Sequence, residues 1–212
     1  MLRAVPCSFD EEPTMDPDII KTFSPAATRM LRLDHVHVLA QYHKLRSDTP
    51  AWAQAAVCRN ICTGLEIHAQ LEEELFYPAL RELEVQIPAL DRSLEEHTRM
   101  RAQINRVRQL EGQPPEQRAA LHDLITGVLH HVADEETQVF PAAEQLLGMQ
   151  QLKELGARMT RLRFELARPR AAAMAMDTVL AAPMKSALFA AGTLLAGGIL
   201  FRQLRHSHFH RH

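Results

Sequence analysis

The chain has 212 residues, 46% of them hydrophobic, and a formal net charge of −2; that is enough apolar sequence for a substantial core and excludes a disordered chain. Its 24 basic and 26 acidic residues form no long run of either sign, so the electrostatic footprint of phosphate binding is missing and a nucleic-acid partner is not expected. Three cysteines, Cys7, Cys58 and Cys62, are too few for a disulfide framework, and a pair four apart on one helix is awkward to bridge, so a reducing, cytoplasmic setting is the expectation.

Residues 1–23 have no long apolar stretch after the first positive charge and turn acidic at once, which reads as a loose leader rather than a secretory signal. From there to residue 148, apolar residues recur at spacings of three and four and alternating β-branched runs are absent, the pattern of an all-α fold. The spacing predicts helix 1 over 24–47, with Ser24 as cap and Pro25 at the first helical position, where its missing N–H costs nothing. Thr49 and Pro50 repeat that start signal for helix 2, which runs to about residue 86 with Pro78 as an interior kink. Helix 3 follows over about 88–111 and, after a breaker from Gly112 to Pro115, helix 4 over about 116–147, with Pro141 inside it and Gly148 at its end. Four long helices with short links make an antiparallel up-down four-helix bundle.

Residues 149–212 differ in composition and form a helical C-terminal extension. A charged helix over 150–167 precedes a break at Pro169, an apolar segment at 187–201 and a histidine-rich tail. At roughly 22 Å as a helix, the 187–201 segment is short for a bilayer core of about 30 Å. Its small residues suit close packing, so the expectation is divided between self-association or docking and membrane contact. The tail's alternating histidines read as a solvated end rather than a metal site.

The chemistry lies in an internal repeat. His68-Ala-Gln-Leu-Glu72 is followed by Phe76-Tyr77-Pro78-Ala79, and His131-Val-Ala-Asp-Glu135 by Phe140-Pro141-Ala142, each proline ten residues after its histidine. Residues four apart on a helix project from one face, so each His and Glu make a two-ligand unit. The repeat extends upstream: Leu33-Asp34-His35 precedes His68 by 33 residues, and Glu95-Glu96-His97 precedes His131 by 34. A duplicated helical hairpin is the economical reading. In the second hairpin His97 lies about fourteen residues before the Gly112 break and His131 about fifteen after Glu116, so both sit at one height. In the first, His35 and His68 differ in height by nearly 10 Å at about 1.5 Å per residue, so the connection must be longer or the start of helix 2 irregular. His43 in place of His35 would worsen the mismatch.

Four imidazoles, His35, His68, His97 and His131, with the carboxylates of Glu72 and Glu135, suit a pair of borderline metals such as iron, the carboxylates able to touch both. Glu-x-x-His, which ferritin-like di-iron bundles need, is absent, as is the His-Glu-x-x-His of zinc proteases. A magnesium or calcium site would want oxygen ligands. Singly, a His-x-x-x-Glu is most often a surface pair worth a few tenths of a kcal/mol. Two copies with matching flanks, each preceded by acid-His, are not explained that way, and inward-facing glutamates with no cation would cost several kcal/mol.

The phrases LDHVHVL, HAQLEEELFYPAL, LEEHTRM and HHVADEETQVFPAA, spanning about 24–147, resemble the hemerythrin-like family, the HHE cation-binding domain. The resemblance implies a non-haem di-iron centre, oxo- or hydroxo-bridged, that binds or reacts with O2, H2O2 or NO, or senses oxygen and iron. It implies ligands at His35 (helix 1), His68 and Glu72 (helix 2), His97 (helix 3), and His131 and Glu135 (helix 4). The oxygen-carrying members place two histidines four apart on helix 3, where Ser93 and Arg101 flank His97 here. They also use an Asp five residues after the helix 4 histidine, where this chain has Glu135 at four and, as the alternative carboxylate, Glu136 at five. The pattern is similar to the bacterial subgroup written H, HxxxE, H, HxxxE, and it points away from simple oxygen carriage because one coordination position is freed. Tyr42, on the His35 face, is read as a core tyrosine with a satisfied hydroxyl, with ligation as the alternative. His37 and His130 point about 100° from their ligand neighbours and read as surface or outer groups. Cys58 and Cys62 read as buried small hydrophobes, with redox sensing behind. The expected function is di-iron binding with reactivity towards a small ligand, including peroxidase- or catalase-like or NO-directed chemistry; the rivals are a non-enzymatic iron or oxygen sensor or store, and a metal-free helical interaction module.

Overall fold

The computed structural model describes residues 24–181. Its elements are α1 (Ala27–Tyr42), α2 (Ala51–Leu71), a π turn (Glu72–Phe76), α3 (Tyr77–Arg81), α4 (Pro88–Gln109), α5 (Pro114–Asp134), a second π turn (Glu135–Val139), α6 (Phe140–Ala167), a 3₁₀ turn (Arg168–Arg170) and α7 (Ala171–Ala181). The fold is all-α, with no strand among the described residues. Helix 1 of the bundle is α1, helix 2 runs through α2 and α3, helix 3 is α4, and helix 4 runs from α5 into the first half of α6.

Helix 2 ends at Arg81 rather than near residue 86, and two larger features differ from the sequence expectation. Helix 1 starts at Ala27 and stops at Tyr42 rather than near Ser47, and the eight residues 43–50 connect it to α2. His35 is thus seven residues from the end of α1, and His68 seventeen from the start of α2. Those ten residues are roughly 15 Å of helix, within the ~26 Å reach of an extended eight-residue link, so a longer connection absorbs the height mismatch of the first hairpin. The second change is at the interior prolines. Instead of kinking, the helix widens by one residue just before each: the Tyr77 N–H bonds to the Glu72 carbonyl and the Phe140 N–H to the Glu135 carbonyl, both five residues back. Pro78 and Pro141 lack an N–H and would press a ring on the carbonyl four residues earlier, and the wider turn relieves both problems.

Gly148 interrupts α6 with φ 69° and ψ 168°, the positive-φ conformation that only glycine adopts freely. The helix beyond it packs back on the bundle: Leu152, Leu155 and Met159 join Ala27, Leu31, Phe76, Tyr77 and Phe140 in one apolar cluster. A second cluster, with Val38, Cys62, Leu65, Met100, Ile104, Leu121 and Leu124, fills the opposite end of the bundle. Cys58 and Cys62 are fully buried there, and burial pushes both thiols up to about 12, so they are protonated, packed groups.

The expected localisation is corrected. Among the described residues no helix is long and apolar enough to cross a membrane; the longest, α6, is broken at Gly148 and carries Lys153, Glu154, Arg158, Arg161 and Arg163. The 187–201 segment that was to provide membrane contact lies outside the described residues, as do 1–23 with Cys7 and the histidine-rich tail. Nor do two buried thiols establish a cytoplasmic compartment, because their burial reports packing.

The extension comes close to the bundle at Gly156, where a Cβ would lie 2.0 Å from the Pro25 carbonyl oxygen, a backbone atom that cannot swing away. Gly156→Ala is expected to lower the stability of the full chain by about 1–3 kcal/mol through overpacking, read as a lower midpoint in urea with an unchanged slope.

Candidate metal centre

Between the two apolar clusters, the bundle places six polar side chains. His35, His68, Glu72, His97, His131 and Glu135 are all buried, Glu72 and Glu135 at 0% exposure. His35 comes from α1, His68 from the last turn of α2, His97 from the middle of α4 and His131 from the last turn of α5. Each glutamate opens a π turn. All six sequence candidates are therefore brought to one place.

They form two halves. In one, His35 Nε2 lies 3.3 Å from His68 Nε2 and 3.2 Å from Glu135 Oε2, and His68 Nε2 lies 3.2 Å from Glu72 Oε1. In the other, His97 Nε2 lies 3.1 Å from His131 Nε2 and 3.3 Å from Glu72 Oε2, with His131 Nε2 3.6 Å from Glu135 Oε2. Glu72 thus presents one oxygen to each half. His35, His68, Glu72 and Glu135 have donor atoms close enough to hold one ion, and Glu72, His97 and His131 another.

The outward nitrogens of the four rings are also occupied. Nδ1 of His35 is 3.0 Å from Glu136, that of His68 3.2 Å from Asp34, that of His97 2.8 Å from Glu73 and that of His131 2.9 Å from Glu96. Every one of these carboxylates is the chain neighbour of an inner residue: Asp34 precedes His35, Glu96 precedes His97, Glu73 follows Glu72 and Glu136 follows Glu135. With Nδ1–H donating outward, a neutral ring directs its Nε2 lone pair inward, the orientation that outer carboxylates impose on metal-binding histidines. Three outer acids are held in turn by arginines: Arg163 on Asp34, Arg101 on both oxygens of Glu73, and Arg32 on Glu136. Arg32 also lies 5.1 Å over the Phe140 ring, which stacks on His35.

This donor set asks for a cation. Glu72 Oε1, Glu72 Oε2 and Glu135 Oε2 are buried and, while the rings are neutral, have no hydrogen-bond donor among the described residues; the imidazole atoms facing them are the Nε2 atoms. In the metal-free chain the charges respond accordingly. Burial acts against the imidazolium of His68, yet the charge of Glu72 and the bond to Asp34 hold its pKa well above the ordinary value. His131 is raised to about 9 by Glu72 and Glu135 against the same burial. Burial and the charge of Glu72 raise the carboxyl of Glu135. Burial would raise Asp34 too, but the bonds from Arg163 and His68 outweigh it and hold the group at about 2. That stabilisation is present above the ordinary carboxylate range and is lost only as pH falls towards about 2.

Three sequence readings are resolved by position. Glu135 points inward, whereas Glu136 is a third exposed and binds Arg32 and His35 from outside. Tyr42 does not reach the cluster; its hydroxyl lies 2.9 Å from Nδ1 of His122. His37 and His130 are exposed. The tyrosine at the site is Tyr77, missed in the sequence, which donates from its hydroxyl to Glu135 Oε1 at 3.0 Å while its ring stacks on His97. Its repeat equivalent is Phe140, nine residues after His131 as Tyr77 is nine after His68, and Phe140 stacks on His35. Aligning the repeats residue by residue shows this Tyr-for-Phe difference.

Two cavities adjoin the cluster. A groove of about 280 Å³ opens at Glu96, His97, Gln103, Gly127 and His131. A second pocket, of about 10 Å³ and lined by Val38, Leu65 and Val132, sits over His35, His68 and His131.

Compared with protein families, the chain matches the hemerythrin HHE cation binding domain over residues 26–143 and again over 89–210. The first match covers more than half of the chain, and the chain belongs to that family. The two matches start 63 residues apart, the spacing of His68 and His131. No curated protein and no solved structure matches the chain.

Tyr77→Phe leaves Glu135 Oε1 without its donor, and the metal-free chain is expected to lose about 1–3 kcal/mol in urea unfolding. Tyr42→Phe, at a half-buried site away from the cluster, should lose less than half as much.

Proposed function

We propose that this hemerythrin-family chain binds two iron ions through His35, His68, Glu72, His97, His131 and Glu135, and that the centre binds or reacts with a small ligand: O2, peroxide or nitric oxide. The observation that carries this reading is the trio of buried, donorless carboxylate oxygens facing four inward imidazole nitrogens. Without a cation such an arrangement costs several kcal/mol. The mix of imidazole and carboxylate favours iron over the hard cations magnesium and calcium, and Glu72, with one oxygen in each half, favours a pair of ions over one.

When bound, iron would supply a change of oxidation state and an open coordination position. The chain's own residues set the conditions for that chemistry. The outer carboxylates fix the ring orientation and tautomer of all four histidines. Val38, Leu65 and Val132 keep one approach dry, and the pocket there has room for about one water-sized guest, which supports a ligand of one or two heavy atoms. Tyr77 holds a proton at Glu135 Oε1, so Glu135 has one inward oxygen to offer where Glu72 has two. A second reading, a non-enzymatic iron or oxygen sensor or store, is favoured by the contact of the extension with one outer carboxylate, Asp34, through Arg163.

Anaerobic ferrous loading of the full chain, followed by air, tests the proposal. Two irons per chain and new charge-transfer absorption are expected. His68→Ala and Glu135→Ala should each lower the stoichiometry below two and reduce the stability gained from iron, whereas Tyr42→Phe should leave the absorption unchanged. A chain that takes up no iron would sink both readings; rapid mixing of the loaded chain with peroxide and with NO separates turnover from simple binding.

A further inference from the structure

Of the three arginines that clamp the outer carboxylates, Arg32 lies on α1 and Arg101 on α4, both inside the four-helix bundle. Arg163 does not. It stands on the second half of α6, beyond the Gly148 break, in the extension. The buried face of that helix runs through Leu152, Leu155, Gly156 and Met159, spacings of three and four, and Arg163 is the next position on the same stripe. At that end the apolar contact with α1 gives way to a carboxylate. Arg163 donates from Nη1 to Asp34 Oδ1 at 2.7 Å and from Nη2 to Asp34 Oδ2, and the same Oδ2 lies 3.2 Å from Nδ1 of His68. One oxygen therefore connects the extension to a ring of the metal cluster. Glu96, the equivalent acid behind His131, has no arginine bonded to it among the described residues and lies on the open groove.

We infer that Arg163 is a positioning residue for the His35 and His68 half of the centre, and that docking of the extension helix and metal binding in that half are one coupled equilibrium. The inference rests on the metal-binding reading above. The bidentate clamp leaves Asp34 one orientation, and that orientation aims His68. Coupling of this kind is reciprocal: whatever affinity the docked helix adds to the metal, the metal adds to docking.

Cobalt(II), added without air as a probe with a visible spectrum, tests this in the full chain. Wild type is expected to take up two equivalents. Arg163→Gln should bind one of them at least about tenfold more weakly, in the range for loss of an outer partner, and leave the other within twofold. Arg163→Lys should recover part of the loss, and Arg101→Gln, behind His97, should weaken the opposite equivalent. In wild type, cobalt should slow amide exchange across 149–167 about tenfold, with no such effect in Arg163→Gln. Wild-type affinity for both equivalents in Arg163→Gln, equal weakening of both with a lowered melting midpoint, or exchange in 149–167 indifferent to cobalt would each overturn the inference while leaving the metal site standing. A wild-type chain that binds no cobalt at all would overturn the metal-binding reading with it.

Discussion

Two carboxylates at 0% exposure in the middle of a helical bundle, with three of their four oxygens lacking a donor among the described residues, are the fact to which the rest of this structure is adjusted. A carboxylate removed from water without compensation shifts its charge, finds a partner or destabilises the fold. Here the surroundings add four more acids, Asp34, Glu73, Glu96 and Glu136, behind the histidines, against the three arginines that clamp them among the described residues. Six carboxylates and three guanidinium groups leave a deficit of positive charge at the centre. In the metal-free state protons on His68 and His131 offset part of it, as their raised pKa values indicate. A family defined by cation binding meets the remainder with metal.

The apolar ends of the bundle make that electrostatics effective. One plug, around Phe76, Tyr77 and Phe140, is closed by Leu152 and Met159 of the extension, and the other is built on Ile104, Leu121 and Leu124. Charges confined between two dry layers interact more strongly than charges in water, so the order of the outer network matters more than it would at a surface. The duplicated hairpin gives this network its near-symmetry, and single exchanges break it. Tyr77 against Phe140 makes the two inner glutamates unequal, and the arginine on Asp34 without a counterpart on Glu96 makes the two histidine pairs unequal.

Much of the site could be read from the chain because its spacings are set by helix geometry. His68 with Glu72 and His131 with Glu135 had to share a face, and acid-His in both upstream helices had to meet them once the repeat was seen as a hairpin. The fold class followed from the same periodicity. What could not be read depends on tertiary contacts. Glu73 reaches His97, and Glu136 reaches His35, across the interface between hairpins, and no local spacing reveals such a pair. Arg163 lies 129 residues from its partner Asp34. The end of α1 at Tyr42 was misplaced because nothing between His43 and Ser47 breaks a helix by composition; the long link is demanded by the heights of His35 and His68, a constraint that the sequence shows only as a mismatch.

The two π turns have a geometric consequence. An α-helix advances about 100° per residue, so one extra residue in a turn rotates everything after it by that amount relative to an unbroken helix. In helix 2 the buried positions Leu65, His68 and Glu72 would continue to 75 or 76 and then 79; with the wider turn they continue to Phe76, Tyr77 and Leu80. Helix 4 does the same through Val128, His131 and Glu135 to Val139, Phe140 and Ala143. Helices 2 and 4 are therefore each two helices in different phase, joined at the buried glutamate. The face that carries donors and the face that carries the aromatic plug are set independently of one another, and a single inserted residue does in each hairpin what a change of crossing angle would otherwise have to do for the whole bundle.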